Sequence, residues 1–490
     1  MHSINSKFVA LFLVFMVLLA SCSKPAGNES QIVLSPCKLG TASAFCGTLR
    51  VFENRITQRG RKIDIRVAVI KAESPNPAAD PIFYLAGGPG DSAYEDGMRQ
   101  QFSNDLAYTH DLVFVEQRGT GDSNPERVSQ GYPDFQGLTA EQIDANIKKR
   151  AWEYKVLKLF TMDTRFYTTA MAMDDLDDVR EALGYDKINL VGYSYGATAA
   201  QYYLRQHEEH VRTVTLGVGS LLDIPVFELW AHNGQRTIDL IFDRCLANTA
   251  CQAAYPELRE EFTGLLTRLA ASPEIINFTN PDTLEPDSIT FSVDYFAAFL
   301  RNMTKDAKND PFIPRLIHKA YQEDDWSGFT QYVIDGFGPQ WWGNLAMEHT
   351  IRCSEKWASF DPETVAELSK GSFLAGWDIS LAKHQAYSCS FTPAGVTPEG
   401  DSKQPGSDVP VLILNGDLDP IDPPENMSGA KELWPNSISL IGLNQSHSIS
   451  DMNQIMCWFS ILDRFIISGT VEGLDTSCMK TLKSPPFDTQ

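Results

Sequence analysis

The short apolar run Lys187-Ile188-Asn189-Leu190-Val191 leads directly into Gly192-Tyr193-Ser194-Tyr195-Gly196, and the chain continues as Ala197-Thr198-Ala199-Ala200-Gln201-Tyr202-Tyr203-Leu204. A buried strand, a serine framed by glycines, and a stretch of small residues and good helix formers leave few folds open. The glycines permit a sharp strand-to-helix turn, which lifts the serine hydroxyl above a sheet at the positive end of a helix. A lone G-x-S-x-G string is a weak signal. Its position between a strand and a helix makes it informative.

Similar apolar runs occur at Pro81 to Leu85, Asp111 to Val115 and Val211 to Leu216. Such runs suit strands of a parallel sheet buried on both faces. Lys62 to Ile70 instead alternates, with Ile63, Ile65, Val67 and Val69 on one side, which predicts a half-buried strand near an edge. Between the runs lie helical patterns. In Met173 to Leu183, residues Met173, Leu176, Val179, Ala182 and Leu183 share one face, and Gly184 stands at the stop. Alternation of strand and helix predicts a doubly wound, mostly parallel α/β sheet.

From about Leu222 to Asp408 the pattern changes to amphipathic helices rich in aromatics, such as Pro225 to Cys245 and Glu257 to Leu269. This segment reads as an inserted helical cap. It ends in the Pro/Gly-rich stretch Pro393 to Pro410, after which Val409 to Leu414 and Ser437 to Ile441 restore strand character. The expected division is a signal peptide over 1–21, a tether over 22–31, a catalytic domain formed by 32–221 and 409–490, and a cap over 222–408.

Charge removes one class of partner. The chain has 490 residues, with 41 Lys+Arg against 63 Asp+Glu and a formal charge of −22, which repels phosphate backbones and excludes nucleic acid as a partner. The N-terminus carries an address. Lys7 precedes an unbroken apolar run from Phe8 to Leu19, too short for the roughly 20 residues that span a bilayer but suited to a signal-peptide core. The run ends in Leu19-Ala20-Ser21-Cys22, which resembles the lipobox of bacterial lipoproteins. That resemblance implies cleavage before Cys22, acylation of its thiol, and attachment to the membrane of the cell envelope through the lipid. Ser23, where an aspartate would retain the protein, implies the outer membrane, facing the periplasm.

Of nine cysteines, acylation of Cys22 leaves an even number in an oxidising compartment, and none forms a C-x-x-C pair of the kind used for zinc or redox chemistry. No metal or cofactor is expected. Short separations favour disulfides between Cys37 and Cys46 and between Cys245 and Cys251. Cys353 with Cys389 and Cys457 with Cys478 complete the expected set.

A serine hydroxyl needs a base to take its proton, and in this kind of sheet the partners follow in the order Ser, then Asp or Glu, then His. Only His447 lies beyond the strand-like Val409 to Leu414. Asp417, Asp419 and Asp422 all stand where the acid belongs. His207 and His210, beside Glu208 and Glu209, read as the end of the helix after the serine, and His349 and His384 as structural residues of the cap. Oxyanion donors are also needed, each typically worth about 3–4 kcal/mol in the transition state. The Gly88 amide, in Ala86-Gly87-Gly88-Pro89-Gly90 after the Pro81 to Leu85 strand, and the Tyr195 amide are the expected pair.

These residues resemble the α/β-hydrolase serine peptidases that include proline iminopeptidases and, more closely, bacterial tripeptidyl aminopeptidases. The likeness rests on Gly87-Gly88-Pro89-Gly90, Glu116-Gln117-Arg118-Gly119-Thr120-Gly121, Asp175-Leu176-Asp177-Asp178-Val179-Arg180 with Leu183-Gly184-Tyr185, and the segment around Ser194. Asp243-Arg244-Cys245 through Cys251, Tyr255-Pro256-Glu257-Leu258 and Cys353-Ser354-Glu355 add to it. It extends from about residue 46 to about 480. Ala86 stands where many members have histidine, Glu116 replaces the commoner aspartate, and His447 lacks flanking glycines.

The resemblance implies an α/β-hydrolase fold with an inserted helical cap and Asp419 as the acid, since Gly416 to Pro423 fits the G-x-x-D-x-x-x-P pattern of related hydrolases. It implies an exopeptidase that acts on short peptides from a free amino terminus through an acyl-enzyme. Such selectivity needs a carboxylate facing the substrate ammonium. Glu355 is the candidate and Glu348 its rival, with Trp341 and Trp342 as pocket walls. The alternative is a lipid-anchored carboxylesterase using the same three residues.

Overall fold

A computed structural model describes residues 32–99, 102–125, 162–280, 284–334, 345–355, 361–390, 392–398, 403–448 and 455–489. The expected signal peptide, the tether with Cys22, and the Trp341 and Trp342 pair lie outside the described residues.

Eleven strands organise the described chain: β1 Ser35–Leu39, β2 Ala42–Phe52, β3 Lys62–Ile70, β4 Ile82–Leu85, β5 Leu112–Val115, β6 Ile188–Tyr193, β7 Val211–Gly217, β8 Glu274–Thr279, β9 Pro286–Phe291, β10 Val411–Gly416 and β11 Ser437–Gly442. Nine of them form one sheet in the order β1-β2-β3-β5-β4-β6-β7-β10-β11. The pairs from β5 through β11 are parallel, and β1, β2 and β3 add an antiparallel flank. The alternating segment is therefore the third strand from the edge. Two strands lie outside it that periodicity did not single out, because β2 contains Gly47 and the small residues Ala42, Ser43 and Ala44. Central strands β4, β5 and β6 are buried along their whole length, as the unbroken apolar runs require.

Helices of the described chain include α1 Ala93–Arg99, α2 Thr169–Leu183, α3 Tyr195–Gln206, α4 Trp230–Ala247, α5 Leu258–Ala271, α6 Val293–Met303, α7 Leu345–Ser354, α8 Ala375–Cys389 and α9 Ile455–Ser468. Met173, Leu176 and Val179 of α2 share one cluster with Leu190 of β6 and Val214 of β7. Trp458, Ile461 and Phe465 of α9 share another with Tyr84 and Phe114 across the opposite face. Each fully buried side chain of this size contributes roughly 1.5–3 kcal/mol. Helix α2 starts at Thr169, four residues before the apolar stripe, and ends at Gly184, whose φ of 80° and N–H to the Arg180 and Glu181 carbonyls close the last turn.

Residues between β7 and β10 form an insertion with its own aromatic core of Phe242, Phe262, Phe291, Phe296 and Trp326. It is not purely helical. Strands β8 and β9 pair as an antiparallel hairpin with largely exposed residues, so it left no buried apolar run in the sequence. Leu418, from the loop after β10, is buried in this same core. Disulfides join Cys37 to Cys46, Cys245 to Cys251, Cys353 to Cys389 and Cys457 to Cys478. Among the described residues no helix is long and apolar enough to cross a membrane.

Candidate active site

Strand order reverses around β4, whose neighbours β5 and β6 lie on opposite sides, and the carboxyl ends of strands at such a switch form a crevice. Ser194 follows β6 there. Its φ of 56° and ψ of −124° place a non-glycine residue in a region that typically costs about 1–3 kcal/mol. The flanking glycines make the turn possible. A Cβ on Gly192 would strike the Gly196 carbonyl, and one on Gly196 would strike the Leu85 carbonyl of β4. The Ser194 N–H donates to the Gly217 carbonyl at 2.9 Å, and its carbonyl accepts from the Ala197 N–H at 2.9 Å.

His447 comes from the loop after β11. Its Nε2 lies 3.1 Å from Ser194 Oγ, and its Nδ1 lies 2.8 Å from Asp419 Oδ2. Asp419 is fully buried. Its other oxygen accepts from the Ile421 and Asp422 amides at 2.8 and 2.9 Å, which aims the carboxylate at the imidazole. Asp417 faces elsewhere, its Oδ1 accepting from the Asn444 amide at 2.5 Å. Burial opposes a charged imidazole, but Asp419, hydrogen-bonded to it, and Asp422 nearby prevail and raise the His447 pKa. The imidazole is thus set to receive a proton from the serine.

Elements of the insertion hold these loops. Arg236 donates to the Asp417 carbonyl at 2.7 Å, Thr237 Oγ1 to the Leu418 carbonyl at 3.2 Å, and Asn233 to the Ile421 carbonyl at 3.1 Å, all from α4. Just beyond α6, the Thr304 carbonyl accepts from Ser446 Oγ and the Lys305 carbonyl accepts from the Ser448 amide. Lys305 itself was not singled out in the sequence. Burial and the nearby Arg301 push its pKa down to about 8, with Asp306, Asp419 and Asp91 opposing.

On the opposite side, the Gly87 N–H donates to Asp96 Oδ2 at 3.1 Å. A Cβ built on Gly87 would stand 3.7 Å from Ser194 Cβ, so this backbone passes directly over the serine. Gly88 follows with a φ of 105°. Tyr195 is the first residue of α3, and its amide is among those that helix geometry leaves without an intrahelical acceptor.

The remaining motifs resolve into supports. Glu116 accepts from the Ala93 and Tyr94 amides at 3.0 and 3.3 Å, tying α1 to the loop after β5. Burial pushes its carboxyl up. A Cβ at Gly121 would fall on that carboxylate. Arg118, fully buried, grips Asp175 of α2 with Nε and Nη2 at 2.7 and 2.8 Å, so two motifs far apart in sequence are one ion pair.

Glu355, 4% exposed, accepts from the Thr169 amide at 2.6 Å and the Thr169 hydroxyl at 2.8 Å. That hydroxyl lies 2.8 Å from the Tyr195 hydroxyl, which links the Glu355 carboxylate to the residue after Ser194. Glu348 pairs with Arg352 at 2.8 Å within α7, and burial raises its pKa. His207 lies 3.1 Å from Asp174 at the end of α3, His210 faces the Asp186 carbonyl at 3.2 Å, and His349 Nε2 meets Thr392 Oγ1 at 2.7 Å. His384 lies on α8. Among the described residues no group of three or more His, Cys, Asp or Glu could hold a metal ion.

A family model described as the alpha/beta hydrolase fold matches residues 80–450. The chain is 31% identical over 237 residues to the serine protease Hip1 of Mycobacterium tuberculosis, covering 43% of this chain and 45% of that protein. It is 27% identical over 160 residues to a proline iminopeptidase of Neisseria meningitidis, covering 33% of this chain and 39% of that protein. The chain thus spans less than half the length of these curated relatives. Among solved structures, the proline iminopeptidase of Mycobacterium smegmatis aligns over 86% of this chain and 98% of its own, at 14% identity and a TM-score of 0.39.

Proposed function

The chain belongs to the α/β-hydrolase family, and on that premise we propose that it is a serine peptidase that cleaves short peptides from their free amino terminus. The observation that carries this reading is the continuous contact from Ser194 Oγ to His447 Nε2 at 3.1 Å and from His447 Nδ1 to Asp419 Oδ2 at 2.8 Å. Ser194 attacks the scissile carbonyl while His447 takes its proton, and Asp419 stabilises the imidazolium that forms. The oxyanion is received by the Gly88 and Tyr195 amides, the latter aided by the positive end of α3. His447 then gives the proton to the leaving amine, and water hydrolyses the acyl-enzyme by the same route.

Glu355 is the proposed partner of the substrate ammonium. Its support is position: a buried carboxylate one threonine hydroxyl from the Tyr195 side chain. The insertion above the cleft would restrict entry to short, extended peptides. The N-terminal segment is proposed to export the chain and anchor it in the cell envelope through acylated Cys22. Labelled palmitate entering the wild type but not Cys22→Ser would support that, and equal labelling would overturn it.

The main test is a panel of mono-, di- and tripeptidyl chromogenic amides, with free and blocked amino termini. Ser194→Ala is expected to lose about 10⁶-fold in kcat, and preserved turnover would refute the nucleophile. Glu355→Gln is expected to raise KM for free-amine substrates only. Equal wild-type rates on blocked amides and aryl esters would replace the aminopeptidase reading with the carboxylesterase one.

A further inference from the structure

His447 faces two carboxylates. Asp419 Oδ2 hydrogen-bonds its Nδ1, and Asp422 Oδ2 stands 3.9 Å from the same nitrogen. The second acid is 5% exposed and held on all sides. Its amide donates to Asp419 at 2.9 Å, and its carbonyl accepts from Asn415 Nδ2 at 2.8 Å. Its Oδ1 accepts from the Ser220 hydroxyl, which itself accepts from Asn426 Nδ2 at 2.8 Å. This chain of donors sets the polarity of the site. Because Asn426 meets Ser220 through its Nδ2, which donates, the Ser220 hydroxyl keeps its own proton for Asp422 Oδ1. Any proton that Asp422 carries therefore sits on Oδ2, the oxygen turned toward His447.

We propose that Asp422 is a second acid of the His447 site, a positioning residue that acts through its charge on the imidazole and shares the task of Asp419. The proposal rests on the catalytic reading of His447. Every charged group around Asp422 fits the role. On its own loop stands Asp419, across from it His447, and from α6 the buried Arg301, whose guanidinium stacks 4.4 Å from the Trp230 ring. Beyond Arg301 lies the buried carboxyl of Asp378 on α8. Lys305 also acts on the histidine, and Asp91 in turn acts on Lys305. The result is a buried alternation of imidazole, paired carboxylates, guanidinium and carboxyl.

Two carboxylates this close cannot ionise as easily as one. Burial, with Asp419 alongside, pushes Asp422 upward despite the opposing pull of His447. Asp422 thus loses its proton in the range where His447 must be neutral to act as base, and each loss strengthens the hold of His447 on its own proton. The consequence for rate has a definite sign. Removing the Asp422 charge lowers the His447 pKa, so the acid limb of kcat/KM moves to lower pH.

The test is a pair of measurements on the mature full chain: an NMR titration of the His447 imidazole, and kcat/KM against pH with a tripeptidyl amide. Asp422→Asn, which keeps the Ser220 bond, is expected to lower both by about half a unit. Ser220→Ala, which frees Oδ1, should shift them in the same direction by less and covers the case in which Asp422→Asn fails to fold. Asp419→Ala should retain at least tenfold more activity than the Asp419→Ala/Asp422→Ala double variant. An unmoved His447 titration in both Asp422→Asn and Ser220→Ala would overturn the proposal while leaving the peptidase reading intact. A shifted titration in a protein that cleaves no peptide amide would sink that reading and leave Asp422 in its role.

Discussion

Ser194 occupies its strained backbone because its neighbours are too small to object. Gly196 of α3 sits against the Leu85 carbonyl of β4, and Gly192 of β6 against Gly196 itself, so a single methyl at either place must push helix α3 from a strand. Overpacking of this kind typically costs about 1–3 kcal/mol, more where only backbone can give way. Gly196→Ala is therefore expected to lower stability by at least about 2 kcal/mol in chemical denaturation and to abolish turnover. A variant with wild-type stability and rate would show that the turn has slack which its geometry denies. These glycines were legible in the sequence because their spacing around the serine follows from local backbone geometry. Glu355 was legible only as a candidate, since its contacts with Thr169 cross 186 residues of chain.

At the level of elements, the insertion holds the loops that carry Asp419 and His447. Helix α4 and the segment after α6 hold the acid and histidine loops by their backbone, and Leu418 is buried among the insertion's aromatics. Periodicity identified the helices of this region, but nothing periodic could reveal which of their polar residues reach the loops. Helix α7, which carries Glu348, Arg352 and part of the Glu355 turn, is tied to α8 by the Cys353–Cys389 disulfide across a separation of 36 residues. Closing a loop of that length removes unfolded-state entropy worth roughly 3–4 kcal/mol. Replacing both cysteines by serine should lower the melting temperature and raise KM more than it changes kcat, because Ser194, Asp419 and His447 lie on other elements. A fall in kcat with KM constant would mean that α7 shapes the reacting groups themselves.

For the whole molecule, buried acids set the dependence of stability on pH. Burial raises Asp378 to about 7 and half-buried Asp463 to about 6, and also raises Glu348, Asp310, Asp417 and Asp422. A carboxyl raised in the folded chain keeps its proton where the unfolded chain has lost it. Its stabilisation is fully present below the unfolded value near 4 and is lost as pH rises through the folded one. Asp111 and Asp177, held down by Lys71 and Tyr185 and by Arg180 and Tyr203 against the cost of burial, act in reverse and lose their contribution as pH falls below about 4. A formal charge of −22 adds repulsion at high pH. The melting temperature should therefore be about 2–4 °C higher at pH 5.5 than at pH 8, and Asp378→Asn should flatten that difference. A melting temperature that climbs steadily from pH 5.5 to pH 8 would show that these acids ionise without cost.

By itself the sequence determined the alternating strands and helices, the strand-to-helix turn at Ser194 and the chain order that singles out His447. These follow from periodicities of two and 3.6 residues and from the backbone freedom of glycine, all of which act between near neighbours. Asp417, Asp419 and Asp422 could not be told apart by spacing and local geometry, since all three lie within six residues of one loop; only the family pattern favoured Asp419. Tertiary structure decided among them by direction: Asp419 points along the imidazole bond, Asp422 stands behind it and Asp417 turns away. It also brought Arg301 and Lys305 to the site from more than 100 residues away, because burial of a charge is resolved only by what packs against it.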